Sequence, residues 1–378
     1  MVDALDPAAD APRRVAFVIT RSDAVGGAQL HVQLLARALL DAGHAAHVFV
    51  GGEGPWCRWL EASGVPHTSL RHLKNAVRPW VDGPAYVEVL GALRDFSPDL
   101  VSTHSTKAGW LGRGAARQLG LPIVHTQHGQ LFSYGAMTAP RRVVRLAERW
   151  CARTCGAILF VSHYDRRVGL HHGIGLPHQH AVVHNAIPDN ALQADPVGTI
   201  PQVLMVARLA RPKDPLLALD AFARIAKHPW HFTIAGDGPL RPAVEARIDA
   251  LGLRDRVTMA GTVDDVPQRL AAAQVFLLAS RREGFPMSVL EAMRAGLPVV
   301  TTDAGGVSEA VIDGATGLVT PRDDVPALAR ALESVVTDAD QRRRMGAAGR
   351  ARFLAEFGFE RHVRRVWAVY RRAMRETP

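Results

Sequence analysis

Cysteine is scarce in this chain: 378 residues hold only Cys57, Cys151 and Cys155. An odd, sparse count argues against a disulfide framework and for a reducing compartment. Cys151 and Cys155 lie one helical turn apart without the His or Cys partners of a zinc site, so they read as buried thiols. No apolar run reaches the roughly 18–20 residues of a membrane-spanning helix. The opening MVDALDPAADAPRR lacks the charged-then-apolar order of a secretory signal, and residues 1–14 read as a disordered leader. A cytoplasmic protein is expected, with docking on a membrane face left open. Lysine is scarce as well, since almost all of the 45 basic residues are arginine. No low-complexity tract, short repeat, polybasic tail or nucleic-acid module appears. The net charge of +9 is spread along the chain, which fits an anionic substrate or a membrane surface better than nucleic acid.

The length suits two domains of ordinary size. Strands are expected at Val15–Thr20, His47–Val50, Leu100–Thr103, Ile123–His125 and Ala157–Val161, with helices between them. A polar, Pro- and Gly-bearing stretch then interrupts the pattern, and residues 191–200 read as a linker. The alternation restarts with VLMVAR, HFTIAG, RVTMAG, VFLLAS and PVVTTD. Strands alternating with helices imply parallel βαβ units. The chain therefore divides into residues 15–190, residues 201–357 and a basic, aromatic-bearing helix over 358–378.

The most informative stretch is E-G-F-P-M-S-V-L-E, running from Glu283 to Glu291. Before it, Val275 to Ser280 is continuously apolar and bounded by Arg281 and Arg282, as a short buried strand is. After it come good helix formers, with Pro286 where a first-turn proline is tolerated and Gly296 as a stop. Glu283 then lies in a strand-to-helix loop and Glu291 about one turn into the helix. Such loops line the ligand crevice of a parallel sheet, and a helix start offers free N–H groups to phosphate. One carboxylate can meet sugar hydroxyls and the other a ribose, with a diphosphate between them. The spacing alone also fits two solvated charges.

Other strand ends carry chemistry. Arg208 and Lys213 follow the first strand of the second domain; a bidentate fork and a mobile ammonium suit a diphosphate, unless they are plain surface cations. Gly26 and Gly27 occupy the first strand-to-helix loop and permit close backbone approach to phosphate or sugar, or simply a tight turn. His125 and His128 end a strand in HTQHGQ, while His104 and Lys107 follow another in THSTKAGWLGR. A strand-end histidine can donate to a hydroxyl. Since 14 of the 17 histidines precede residue 197, chance placement competes with that reading.

Across residues 15–375 these motifs, in this order, resemble the family-4 retaining glycosyltransferases of the GT-B fold, in particular bacterial capsule, exopolysaccharide and O-antigen enzymes. The resemblance implies two Rossmann-like, doubly wound parallel-sheet domains facing across a cleft, with the final helix crossing back onto the first. It implies transfer of a hexosyl unit from a nucleotide-diphosphate sugar, UDP favoured, to a hydroxyl of a lipid-linked or polysaccharide precursor, with retention and without a metal or other cofactor. Carried over residue by residue, Glu283 would hold the sugar's 3- and 4-hydroxyls, helped by the backbone at Gly284, Phe285, Met287 and Ser288. Pro286 offers no amide there. Glu291 would hold the ribose, Arg208 and Lys213 the diphosphate, and Gly26-Gly27 would close over the donor phosphates. Val263 would meet the base, and the His-Gly step matches His128-Gly129, giving His128 the sugar's 6-hydroxyl or the cationic centre. Gln29 stands where relatives often carry Glu, which leaves its role open. His104 and Lys107 fall to the acceptor side.

The carboxylates Asp264-Asp265, Asp323-Asp324 and Asp338–Asp340 tempt as metal ligands, but no metal site is expected from them. Arg141, Arg142, Arg145, Arg149 and Arg153 form one cationic helix stripe, with Val144, Leu146 and Trp150 placed elsewhere on the surface. Solvated face and anionic-membrane contact, at the inner face of the plasma membrane, are equal readings of it. A sugar-nucleotide epimerase of the same architecture and a non-catalytic nucleotide-sugar-binding protein remain the rival functions.

Overall fold

The computed structural model describes residues 6–23, 25–75, 79–129, 138–197 and 200–376. The chain forms two compact units, Met1–Asn185 with Glu360–Pro378, and Ala186–Phe359.

The first unit is built on seven strands: β1 (Arg14–Ile19), β2 (Ala45–Gly51), β3 (His67–Leu70), β4 (Leu100–His104), β5 (Ile123–Gln127), β6 (Ala157–Phe160) and β7 (His180–Val182). Their order is β3-β2-β1-β4-β5-β6-β7, and every pairing is parallel. Helices cover both faces, so the central strands are continuously apolar: in β1, Val15 to Ile19 are all buried. The second unit repeats the plan with β8 (Gln202–Val206), β9 (His231–Ala235), β10 (Val257–Gly261), β11 (Val275–Leu278), β12 (Val299–Thr302) and β13 (Gly317–Thr320). Its order is β10-β9-β8-β11-β12-β13, again parallel throughout. Strand order reverses between β1 and β4 in one sheet and between β8 and β11 in the other. Connections leave such neighbours in opposite directions, which opens a crevice beyond their carboxyl ends.

Three strands, β3, β7 and β13, were not legible from periodicity. Each has only three or four residues and lies at or next to a sheet edge with half-exposed positions, so neither length nor apolarity marks it. The leader is corrected in part. Over residues 6–13, Pro7 is buried and its carbonyl meets His44 Nε2 at 3.0 Å, while Trp367 Nε1 donates to Asp10 at 2.6 Å. Residues 1–5 lie outside the described residues. The linker is corrected too, because the division falls after Asn185. Residues 186–197 are tied to the second unit: the Ala194 amide donates to Ala295 O at 2.8 Å, and Arg342 Nε to Pro196 O at 2.7 Å. Residues 198 and 199 are not described. The helix Phe359–Glu376 packs in the first unit, where Tyr370 Oη meets Ser102 Oγ at 2.7 Å.

Candidate active site

In the second unit, the chain leaving β8 turns sharply below the glycines Gly236 and Gly238. A Cβ on Gly236 would sit 2.0 Å from the Ala207 carbonyl oxygen, and its φ of +143° suits glycine alone. This close approach sets the exposed Arg208 at the strand end. A 3-10 turn, Arg211–Lys213, follows and delivers Lys213 to β11: Lys213 Nζ lies 2.6 Å from Glu283 Oε1. Ser280 Oγ donates to the same carboxylate oxygen at 2.5 Å. The Glu283 amide donates to Ala304 O at 2.9 Å, which fixes the loop against the chain beyond β12. Glu283 and Lys213 are therefore one partly buried ion pair at the β8/β11 switch point. The sequence had assigned them to different parts of a donor.

Immediately beyond, Pro286 caps the helix Met287–Arg294 without a side-chain hydrogen bond, and no acidic residue occupies its first turn. The first-turn amides at Met287, Ser288 and Val289 thus meet no capping side chain, at the positive end of the helix dipole. Gly284, Phe285 and Met287 are buried, and Phe285 packs on Phe357 with ring centroids 5.4 Å apart. Their contribution is backbone placement. Ser288 is half-exposed. Glu291 is half-buried among buried helix neighbours, and desolvation pushes its carboxyl up to about 7, against the pull of nearby Arg294. Val263, just after β10, is half-buried.

In the first unit, Gly26 precedes the helix Gly27–Asp41 in extended conformation, again with no side-chain cap. Gln29 is buried, and its amide donates to Arg21 O at 3.1 Å, so it holds the loop between β1 and this helix. His128 directly follows β5, and Gly129 beyond it has φ +110°. His128 Nε2 lies 2.9 Å from His104 Nδ1, whose other nitrogen meets Ser102 Oγ at 3.0 Å. Burial and the neighbouring His128 imidazole hold His104 well below its usual range, and burial, with His362 nearby, lowers His128 to about 4. These rings are neutral at physiological pH.

Two assignments to an acceptor need correction. His104 is fully buried at the end of β4, with Nδ1 on His128 and Nε2 on Ser102, which makes it a positioning residue behind half-buried His128. Lys107 is 4% exposed and ion-paired with Asp82, which turns it into the helix packing. His125 faces the sheet interior, where Nδ1 bonds Thr103 Oγ1 at 2.8 Å.

The two units coincide with two family models. Glycosyltransferase Family 4 matches residues 25–191, and Glycosyl transferases group 1 matches residues 193–352. The sequence is 30% identical to the 2-deoxystreptamine N-acetyl-D-glucosaminyltransferase of Streptomyces fradiae, over 93% of this chain and 92% of the relative. This chain belongs to glycosyltransferase family 4. The family 4 transferase is also 27% identical to UDP-Gal:alpha-D-GlcNAc-diphosphoundecaprenol alpha-1,3-galactosyltransferase of Escherichia coli, over 68% of this chain and 71% of that one. Its fold is the GT-B fold. The crystal structure of Anabaena Alr3699/HepE in complex with UDP and glucose superposes with a TM-score of 0.80 at 21% identity, over 94% of this chain and 98% of that chain.

Sequence reasoning about this transferase did not single out three residues that stand beside these groups. Arg281 forms ion pairs with Asp214 at 2.5 Å and Asp323 at 2.9 Å, bracing the turn that carries Lys213. His31 and His362 join His104 and His128, with the His31 ring 4.9 Å from His128 and 5.2 Å from His362. No spacing rule marks them, because they come from the first and last helices of the unit. The basic helix Ala139–Ala152 is also arranged differently. Val143, Leu146 and Trp150 are 64%, 58% and 59% exposed and share one face with exposed Arg142, Arg149 and Arg153. Arg141, Val144 and Arg145 are half-buried. The cationic stripe is thus mixed with large apolar side chains. Among the described residues, no helix is long and apolar enough to cross a membrane.

Proposed function

We propose that this family 4 transferase moves a hexosyl unit from a UDP-sugar to a hydroxyl of a lipid-linked or polysaccharide precursor, with retention and without a metal or other cofactor. The reading rests on one observation: Lys213, Glu283 and the uncapped start of the Met287–Arg294 helix converge beyond β11. A carboxylate for sugar hydroxyls, an ammonium for phosphate and free amides then stand at a single strand end. The C1–O bond to the departing phosphate breaks while the acceptor oxygen bonds C1 from the same face, and the acceptor proton passes to that phosphate oxygen. Lys213 and Arg208 take up the charge developing on the diphosphate, the task a divalent ion performs elsewhere. Lys213 leaves Glu283 for phosphate when donor enters, and the freed carboxylate accepts from the sugar's hydroxyls. Glu291 holds the ribose, Val263 lies against the base, Gly26-Gly27 approaches the phosphates, and His128 serves the sugar's 6-hydroxyl or cationic centre. The E. coli relative named for a diphosphoundecaprenol acceptor supports a lipid-linked substrate. The mixed Arg and apolar helix face supports peripheral contact with the cytoplasmic leaflet.

The test is UDP release from UDP-hexoses in chelator-treated buffer, with and without a lipid-linked sugar acceptor. Release should depend on acceptor, and Lys213→Ala or Glu283→Gln should lower it at least about a hundredfold. A C2 epimer formed without acceptor would convert the assignment to an epimerase, and tight UDP binding without turnover to a binding protein. Near-normal rates in both variants would remove these residues from the site.

A further inference from the structure

The first unit holds more imidazole than one sugar contact requires. His31, His104 and His128 come from the Gly27–Asp41 helix, the end of β4 and the residue after β5. Each offers one ring nitrogen, and the three nitrogens lie within 4.8 Å of one another. His31 and His104 are buried at 3% and 0% exposure. Hydrogen bonding inside this cluster is incomplete. His31 Nε2 and His128 Nδ1 are both buried without a partner, an arrangement that proteins rarely leave standing. Ser102 Oγ meets His104 Nε2 at 3.0 Å, the usual support for an imidazole that ligates through its other nitrogen, and is itself held by Tyr370.

We infer that His31, His104 and His128 form a binding site for a divalent transition cation of the imidazole-preferring class, for which zinc is the probe. Three neutral imidazoles with one coordination position left over match the donor set of an open zinc site. Tetrahedral bonding at about 2.0–2.1 Å places ligand nitrogens roughly 3.4 Å apart. The His104–His128 pair, now 2.9 Å apart, opens slightly and gives up its hydrogen bond, and the wider separations, at most 4.8 Å, close by no more than about 1.4 Å. His128 is half-buried, so the ion enters from its side. Occupancy withdraws His128 from any other task. The ion therefore inhibits transfer, a consequence that rests on the proposed role of His128, and it is a regulator rather than a cofactor.

The experiment uses the full chain, stripped with chelator and dialysed. Zinc binding is measured by competition with a chromophoric chelator, and cobalt(II) absorption reports coordination geometry. Expected are one zinc per chain at micromolar affinity or tighter and the intense visible bands of four-coordinate cobalt. His31→Gln should weaken binding at least tenfold, and His128→Gln, altered at a less buried position, should do the same. Zinc should lower UDP release by the parent but not by His31→Gln, each against its own metal-free rate. Absence of stoichiometric binding, or weak six-coordinate cobalt bands, would overturn the site even if a variant failed to fold. So would full loss of binding on replacing His171 and His172, whose rings lie 4.9 Å apart at the end of the helix His163–His171, with Ala. Binding that leaves UDP release untouched would overturn the inhibitory consequence, whereas loss of all metal-free turnover in the parent would instead count against the transfer reaction.

Discussion

Glu291 sits where its charge costs the fold. Burial holds its carboxyl at about 7 instead of 4.5, so the folded chain keeps a proton that the unfolded chain releases. The sign follows directly: a raised acid is harmless below pH 4.5, and its penalty grows as pH rises through 7, above which it is constant. Glu291→Gln is therefore expected to stabilise the protein at pH 8 by about 1–2 kcal/mol and to make no difference near pH 4. Thermal melts of both proteins across that range check the widening gap. The same substitution should weaken UDP binding about tenfold, since an amide accepts ribose hydroxyls less strongly than a carboxylate. A variant both less stable and unchanged in affinity would remove Glu291 from the ribose role. At this scale the sequence indicated Glu283, Glu291, Arg208, Lys213 and His128 through motif and strand-end position. It could not indicate that Lys213 grips Glu283, or that Lys107 is spent on Asp82, because those contacts join residues 70 and 25 positions apart.

At the scale of elements, the strand-to-helix turns do the positioning. The Gly236-Asp-Gly238 turn lies directly against the chain carrying Arg208, with added Cβ atoms only 2.0 and 2.4 Å from carbonyl oxygens of Ala207 and Leu209. Gly236→Ala is expected to cost about 2–4 kcal/mol by forcing a left-handed side chain into that oxygen. Denaturant midpoints measure the loss, and calorimetry should show UDP affinity falling with it as Arg208 moves. An unchanged midpoint would mean that the turn tolerates a shift. Central strands were legible because burial on both faces makes them unbroken apolar runs, and the helix Met287–Arg294 because a proline and a glycine punctuate it. The short strands β3, β7 and β13 were not. Their pairing is supplied by a neighbouring strand, and their own residues alternate too weakly to announce it.

For the whole molecule, the charge of +9 is spread along the chain, and on one helix exposed arginines stand among large apolar side chains. The helix Ala139–Ala152 exposes Val143, Leu146 and Trp150 among Arg142, Arg149 and Arg153, next to a pocket of about 490 Å³ lined partly by Arg117, Trp150 and Arg153. Joint replacement of Leu146 and Trp150 by Ser should reduce sedimentation with anionic phosphatidylglycerol vesicles at least tenfold. Both side chains are mostly exposed, so the melting temperature should hardly move. Binding should also fall with salt and be weak on neutral vesicles. Equal binding to both vesicle types would assign the face to another partner. The sequence by itself determined the two-fold repetition of parallel units and the family, because apolar periodicity and short strand-end motifs are local properties. Only the tertiary structure decided the division after Asn185, the ion pair of Lys213 with Glu283, the exposed apolar residues on the basic helix, and the meeting of His31, His104, His128 and His362. Each of these depends on which distant segments pack together, and packing is set by the sum of many weak contacts that no short stretch of chain contains.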